Sequence, residues 1–429
     1  MQKVLIITYY WPPAGGPGVQ RWLKFATHLK NFNIEPILYV PENPHYPIQD
    51  KSLLDEIPKD IKILKKPIAE PYRFAKIFSK KKTERISSGI IDKKKSNSLL
   101  QNALLFVRGN FFIPDARKYW VKPSVEFLKN YLEENNVSTV ITTGPPHSLH
   151  LIGLKLKENS SLKWIADFRD PWTSIGYHKE LKLTKFAEKK HVQLEKEVLT
   201  KASHILTTSF KTKQEFATIT QKPITVITNG FEQKKHEKIP LDEKFTVSHI
   251  GSLLAERNPI NLWKALAELV QENRDFKEHF QLQLIGKVSG EVVQSIKNEG
   301  LQDFLLNRGY VSHRKAIEYQ RKSQVLLLIE IDKKETEAII PGKLFEYLAT
   351  NRPIIAIGPK NWDVKKILAD VRVSIPFLYL EKEKIKSQIL KYFKAFQENS
   401  LKENPVGLEK YTRKALTEKL SEVIKKTAK

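Results

Sequence analysis

Short apolar runs rich in β-branched residues recur along this chain, and each gives way to a loop and then to helical spacing. Residues 3–10 form the first run, WPPAGGPG breaks it, a helical pattern follows over 19–29, and 35–40 is the next run. A strand that is apolar throughout is covered on both faces, and a parallel neighbour is reached only through a crossover, usually a helix. The opening therefore predicts a parallel sheet with helices on its faces. The rhythm pauses between about residues 41 and 120. It resumes with strands over 137–143, 162–167, 202–209 and 224–228 and helices over 147–157 and 183–199. The second of these helices places Leu183, Phe186, Ala187, Leu194 and Val198 near one face. Asn229-Gly230 marks a turn, and the polar stretch 232–244 reads as a linker. A second series has strands over 246–251, 281–285, 306–311, 324–331 and 353–357, with Trp263, Leu266 and Val270 striping one intervening helix. Residues 407–429 read as a charged amphipathic helix.

A length of 429 residues fits two or three domains, and 41% apolar residues suffice for sizeable cores. The absence of cysteine excludes disulfide scaffolds, thiolate zinc sites, cysteine nucleophiles and thiol redox motifs. No apolar run approaches the roughly 18 residues of a membrane span, and the N-terminus lacks the pattern of a signal peptide. The expectation is a cytoplasmic protein, peripheral on the inner face of the cell membrane. The formal net charge is +25, and residues 51–100 hold 14 basic against 6 acidic residues. There Phe74, Ile77 and Phe78 share a helical face among Arg73, Lys76, Lys80, Lys81 and Lys82. Leu100, Ala103, Leu104 and Val107 form another apolar face, followed by Phe111 and Phe112. Such a basic amphipathic excursion, taken as residues 50–112, suits an anionic membrane surface, each Lys or Arg adding about 1 kcal/mol. The alternative is a solvated excursion packed on its own domain. Nucleic acid is not expected as a partner, because no recognisable binding module is present.

The string IIPGKLFEYLATNRPIIAIG, residues 339–358, reads as loop, helix from about Pro341, and strand. Lys343 and Glu346 share one face of that helix, while Leu344 and Leu348 share another. First-turn N–H groups and the Lys343 charge suit a phosphate, and the Glu346 carboxylate could accept two ribose hydroxyls. The alternative is a surface Lys–Glu pair. Gly15, Gly16 and Gly18 let backbone approach a ligand closely, though they do not form G-x-G-x-x-G and could serve a turn alone. His147 follows Gly144-Pro145-Pro146 at a strand end, where a packing role is the alternative. Asp167, Arg169 and Asp170 stand at another strand end beside Trp172. They could hold acceptor hydroxyls, with Asp170 as a base, or form a buried structural salt bridge.

The 339–358 string resembles the donor-nucleotide signature of bacterial glycosyltransferase family 4, also called group 1, whose architecture is GT-B. Six further stretches agree in order. GGPGVQRWLKFATHL resembles the family's N-terminal glycine loop and helix, and TTGPPHSLHLIGLKLK with WIADFRDPW its acceptor-domain loops. ITVITNGFE resembles its Asn-Gly signature, FTVSHIGSLLAERNP its donor-domain phosphate loop, and RGYVSHRKAIEYQRKSQVLLLIE its nucleobase segment. Two positions depart from the family pattern. Ala338 stands where the paired-glutamate motif has its first Glu, and Ser252 stands where many members have Arg.

The resemblance implies an α/β fold of two Rossmann-like domains with parallel sheets facing a central cleft. An acceptor domain would span 1–235 and a nucleotide-sugar domain 236–406, with a helix over 407–429 crossing back to the first. It implies a retaining, metal-independent hexosyltransferase, with no cofactor and a nucleotide-diphosphate sugar as co-substrate. The acceptor would be a glycan or lipid-linked hydroxyl in envelope polysaccharide synthesis. Arg257 and Lys343 would stabilise the diphosphate, helped by Lys287, Gly251 and Gly342. Glu346 would hold the ribose, and Tyr310 and Val311 would flank the base. Gly15, Gly16, Gly18, Arg21, His147, Asp167, Arg169 and Asp170 would border sugar and acceptor, with His147 and Asp170 in the catalytic set. No Asp-x-Asp triplet, the usual metal holder of the other major glycosyltransferase architecture, is present. Two other functions fit the same string: a GT-B sugar-nucleotide 2-epimerase, and a non-catalytic polyanion-binding protein with a degenerate cleft.

Overall fold

A computed structural model describes residues 1–70, 99–158, 160–233 and 239–429. The chain divides into two compact units, 1–229 with 413–429 and 230–412. The basic stretch that includes Arg73, Phe74 and Lys80 lies outside the described residues.

The first unit is built on seven strands: β1 Gln2–Ile7, β2 Ile34–Pro41, β3 Lys62–Lys66, β4 Thr139–Gly144, β5 Lys163–Phe168, β6 His204–Thr207 and β7 Ile224–Val226. They lie in the order β3-β2-β1-β4-β5-β6-β7, every neighbouring pair parallel. The second unit has β8 Phe245–Ile250, β9 Phe280–Ile285, β10 Leu305–Gly309, β11 Val325–Ile329 and β12 Ile354–Ile357, again parallel, in the order β10-β9-β8-β11-β12. Both sheets therefore reverse their winding beside their first strand, at β1/β4 and at β8/β11. Loops leaving these strand pairs diverge there and open a crevice at the carboxyl ends.

The pause expected between residues 41 and 120 is not empty. It holds β3, which extends the sheet beyond β2, and the helix Leu99–Phe111. On the helix Lys185–Lys201 the buried face is Ala187, His191, Glu195, Val198 and Leu199, while Phe186 faces solvent, contrary to the periodicity reading. Residues 407–429 are not one helix: a 3-10 turn, Leu408–Tyr411, precedes the helix Arg413–Ala428.

The helix Pro17–Leu29 starts on a proline whose missing N–H is not needed there, and it buries Val19, Trp22, Leu23, Phe25, Ala26 and Leu29. Leu416, Leu420, Val423 and Ile424 of the helix Arg413–Ala428 join the same core. Leu420→Ala deletes a wholly buried side chain. It is expected to lower the stability of the first unit by about 2–5 kcal/mol, read by urea denaturation.

Candidate functional site

In the second unit the conformation of one loop fixes the crevice at β8/β11. Gly251 follows β8 at φ 127° and Gly286 follows β9 at φ 130°, a region that L side chains avoid. A Cβ on Gly286 would lie 2.3 Å from the Gly251 carbonyl oxygen, so the two loops can touch only with glycine at 286. Into the space left open beside Gly251 comes Lys343, the first residue of the helix Lys343–Leu348, which starts two residues beyond the expected Pro341. Its Nζ donates to the Ile250 carbonyl at 3.1 Å and lies 3.3 Å from His249 Nε2. Tyr347, one turn on, meets the same strand end: its hydroxyl accepts from Ile250 N at 3.1 Å. Burial, and then the nearby Arg257, push the Lys343 ammonium down to about 7. Burial and the Lys343 charge hold His249 neutral. The half-buried lysine is thus short of anionic partners, and an anion placed beside Gly251 would restore its proton.

Arg257 reaches Glu330, the residue after β11, through Nε at 3.0 Å and Nη2 at 2.8 Å. Glu330 is 1% exposed and the Arg257 side chain 27%, so the pair is sealed on the acid side while the arginine side chain stays partly open to solvent. Tyr379 donates to the Glu330 carbonyl at 2.7 Å and steadies that strand end. Glu346 is held on both oxygens, by His313 Nε2 at 3.1 Å and by the Gln320 side-chain amide at 2.9 Å. Lys343 and Glu346 are therefore not a simple surface pair, since each is oriented by another element. Gly342 is the residue before the helix, Tyr310 and Val311 follow β10, and Lys287 lies in the loop after β9. Tyr310 is 80% exposed, available for a ring to stack on, and Lys287 is exposed.

In the first unit the crevice at β1/β4 gathers Gly15, Gly16 and Gly18 after β1, and Gly144 at the end of β4 with Pro145, Pro146 and His147 after it. Gly16 precedes the helix Pro17–Leu29 at φ 110°. Gly18 serves close packing: a Cβ there would lie 1.6 Å from Arg169 Nη1. That guanidinium donates to the Gly144 carbonyl at 3.2 Å and to the Pro145 carbonyl. Gly15 donates to the Ile48 carbonyl at 3.0 Å. Asp115 accepts from Ser148 N at 2.9 Å and Ser148 Oγ at 2.8 Å, which anchors the start of the helix Ser148–Lys157 and places His147 before it.

His147 stacks on Trp172 with ring centroids 5.0 Å apart and planes 3° from parallel. Trp172 is fixed in turn: its backbone N donates to Glu195 and its indole N–H to His191, both from the helix Lys185–Lys201. Both ring nitrogens of His147 are buried without a protein hydrogen-bond partner, and burial drives its pKa far down. A buried polar group left open in this way suits a ligand contact, here as a neutral imidazole that can donate one hydrogen bond. His150, bonded to Thr142 through Nδ1, is pushed down to about 3 by burial. Asp170 lies just past β5, where burial raises its carboxyl above the usual range in spite of Arg169.

Asp167 and Arg21 do not face this crevice. Both side chains are fully buried and paired at 3.2 Å. Asp167 also accepts from Trp22 Nε1 at 2.9 Å and Thr143 Oγ1 at 2.8 Å, and Arg21 donates to the Thr228 carbonyl at 2.8 Å. The buried salt bridge is the reading that fits them, and they position the crevice walls rather than line it.

Sequence reasoning overlooked Glu330, His313, Gln320, His249 and Tyr347. Three of these carry a signal. Glu330 ends the apolar run VLLLIE, and His313 and Gln320 stand seven apart on one face of the helix His313–Lys322.

No protein-family model matches the chain, and no curated protein matches it. Solved structures do. The chain resembles a glycosyltransferase from Rickettsia africae ESF-5 with a TM-score of 0.61 and 13% identity, covering 100% of this chain and 99% of the other. It resembles the lipopolysaccharide outer core galactosyltransferase WaaB with a TM-score of 0.57, 14% identity and 99% of both chains covered. It also resembles a Listeria monocytogenes protein assigned, provisionally, as a UDP-N-acetylglucosamine 2-epimerase, with a TM-score of 0.56 and 12% identity, over 99% of this chain and 95% of that one. The fold is accordingly a two-domain, Rossmann-like GT-B fold.

A lysine that titrates near 7 can be observed directly. After reductive methylation with ¹³C-formaldehyde, one dimethyl-lysine resonance is expected to titrate about 3 units below the rest and to vanish in Lys343→Met. A spectrum in which every lysine titrates near 10 would contradict the enclosed ammonium.

Proposed function

We propose that the protein is a glycosyltransferase of the family-4 type. It moves a hexose from a nucleoside-diphosphate sugar to an acceptor hydroxyl, with retention of configuration and without a metal. The observation that carries this reading is Lys343 at the β8/β11 switch point, its ammonium beside the open Gly251 backbone and Glu346 three residues further on. The diphosphate lies against Gly251, Gly342, Lys343 and Arg257, with Lys287 at its margin. The ribose hydroxyls donate to Glu346, and the base lies by Tyr310 and Val311.

Breaking the anomeric C–O bond creates an oxocarbenium-like sugar and adds negative charge to the departing diphosphate. Lys343 and Arg257 stabilise that charge from fixed positions, the arrangement in which electrostatic stabilisation is most effective. The acceptor oxygen attacks the same face, and its proton passes to the departing phosphate oxygen. This route needs no protein base, although Asp170, with its raised pKa, can take the proton from an acceptor bound in the first unit. His147 donates to a sugar hydroxyl.

The acceptor belongs to envelope polysaccharide or lipid-linked glycan synthesis, reached at an anionic membrane surface on the cytoplasmic side. One observation supports a membrane surface, the exposed apolar residues of one helix. Leu104, Val107 and Phe111 of the helix Leu99–Phe111 are 40%, 41% and 64% exposed. No helix among the described residues is long and apolar enough to cross a membrane. Flotation with anionic vesicles is expected to carry the protein upward, and Leu104→Ser/Val107→Ser/Phe111→Ser to reduce this. Absence of flotation with anionic and neutral vesicles alike would remove the membrane from the reading.

Thermal-shift screening against UDP-, GDP- and ADP-sugars tests the function. One nucleotide class is expected to stabilise the protein, and Glu346→Ala to weaken it about 10–100-fold by losing charge-assisted hydrogen bonds. Lys343 is charged below its pKa of about 7 and neutral above it. Donor affinity should therefore fall about tenfold from pH 6 to pH 8, and the dependence should flatten in Lys343→Arg. Donor bound equally well by Glu346→Ala would overturn the ribose assignment. Interconversion of nucleotide sugars with no acceptor present would favour the epimerase, the second reading to which the Listeria resemblance lends support.

A further inference from the structure

The carboxyl ends of the first unit's strands carry His147 and Asp170, but the opposite edge of the same sheet holds a second concentration of charge. An open pocket of about 490 Å³ is lined by Lys157, Lys163, Lys222, Lys426 and Lys429 with several hydroxyls, and no Asp or Glu lines it. Lys163 opens β5, and Lys222 stands two residues before β7. A six-residue strand spans roughly 20 Å, so the pocket is remote from the loops after β4 and β5.

Helix ends explain part of this charge. The helices Ser148–Lys157 and Arg413–Ala428 both finish here, and their last carbonyls favour Lys157 and Lys426. That does not account for Lys163 and Lys222, which sit at strand starts. Among the described residues none of these lysines has a carboxylate partner. The Lys157 ammonium is held instead by neutral oxygens, Ser203 Oγ at 2.6 Å and the Leu162 carbonyl at 3.3 Å. Burial and the neighbouring Lys222 and Lys163 depress its pKa, as expected where positive charges face each other. His204, at the start of β6, is pushed to about 4 by burial and by Lys426. Ammonium groups and serine hydroxyls around one volume are the donors that a phosphate uses, and a multivalent anion would relieve their mutual repulsion.

We propose that this pocket is an anion site for a compound bearing two or more phosphate charges, gripped by Lys157, Lys163, Lys222 and Lys426. The phosphates belong to a soluble compound or to a lipid headgroup, and the site is independent of the donor-holding unit.

Calorimetric titration with inorganic pyrophosphate, and co-sedimentation with vesicles of phosphatidic acid in phosphatidylcholine, test the site. Both are run on full-length Lys343→Met, which weakens the donor side, and on the same protein carrying Lys222→Glu/Lys426→Glu. Pyrophosphate binding is expected to fall about tenfold or more on charge reversal. Loss of pyrophosphate binding identifies a soluble source, and loss of vesicle binding alone identifies a headgroup. Both outcomes support the site. Lys222→Gln/Lys426→Gln gives a milder loss and serves if charge reversal impairs folding. Binding of both probes unchanged by either pair of substitutions, or absent from the beginning, overturns the proposal.

Discussion

The reversal of winding beside the first strand of each sheet is the constraint on which the rest depends. At β1/β4 and β8/β11 consecutive connections leave to opposite sides, so no crossover helix covers the strand ends between them. Gly251, Arg257, Lys343, Glu346 and His147 all stand in loops or first helical turns at one of these two places. The sheets supply position, and the loops supply chemistry. The glycines are what let those loops come close: Gly286 against the Gly251 carbonyl, and Gly18 against the Arg169 guanidinium.

Each unit also places an arginine–carboxylate pair at its strand ends, and the two pairs differ in kind. Arg21–Asp167 is sealed from solvent, and three further hydrogen bonds offset much of the cost of taking both charges out of water. It ties the first helix to the ends of β4 and β5. Arg257–Glu330 is sealed on the acid side only, which fixes the guanidinium while leaving part of it available. From sequence both look alike, an arginine after a glycine loop and an acid at a strand end.

That likeness marks the boundary of what the residues disclose before folding. The covered strands are most legible where they are apolar at every position, as in β11 and β12. β3 is not, because KILKK is an edge strand with Lys62 and Lys65 exposed and no residue fully buried. Lys343 and Glu346 are legible from local spacing and from the family resemblance. Their partners are not, since His249 is 94 positions from Lys343 and His313 is 33 from Glu346. Asp167 reads as a ligand contact for the same reason: sequence does not reveal which way a polar side chain points. Phe186 shows the converse, an apolar residue in register with a buried stripe that nonetheless faces water.

The helix Arg413–Ala428 closes a core whose other walls come from the first 229 residues. A ribosome delivers those walls long before it delivers Leu416, Leu420, Val423 and Ile424. While the intervening 230–412 are being made, the nascent first unit carries an uncovered apolar groove, the kind of surface that invites chaperones or premature association. The order of synthesis and the order of burial are thus opposed, and the second unit can reach its final fold before the first.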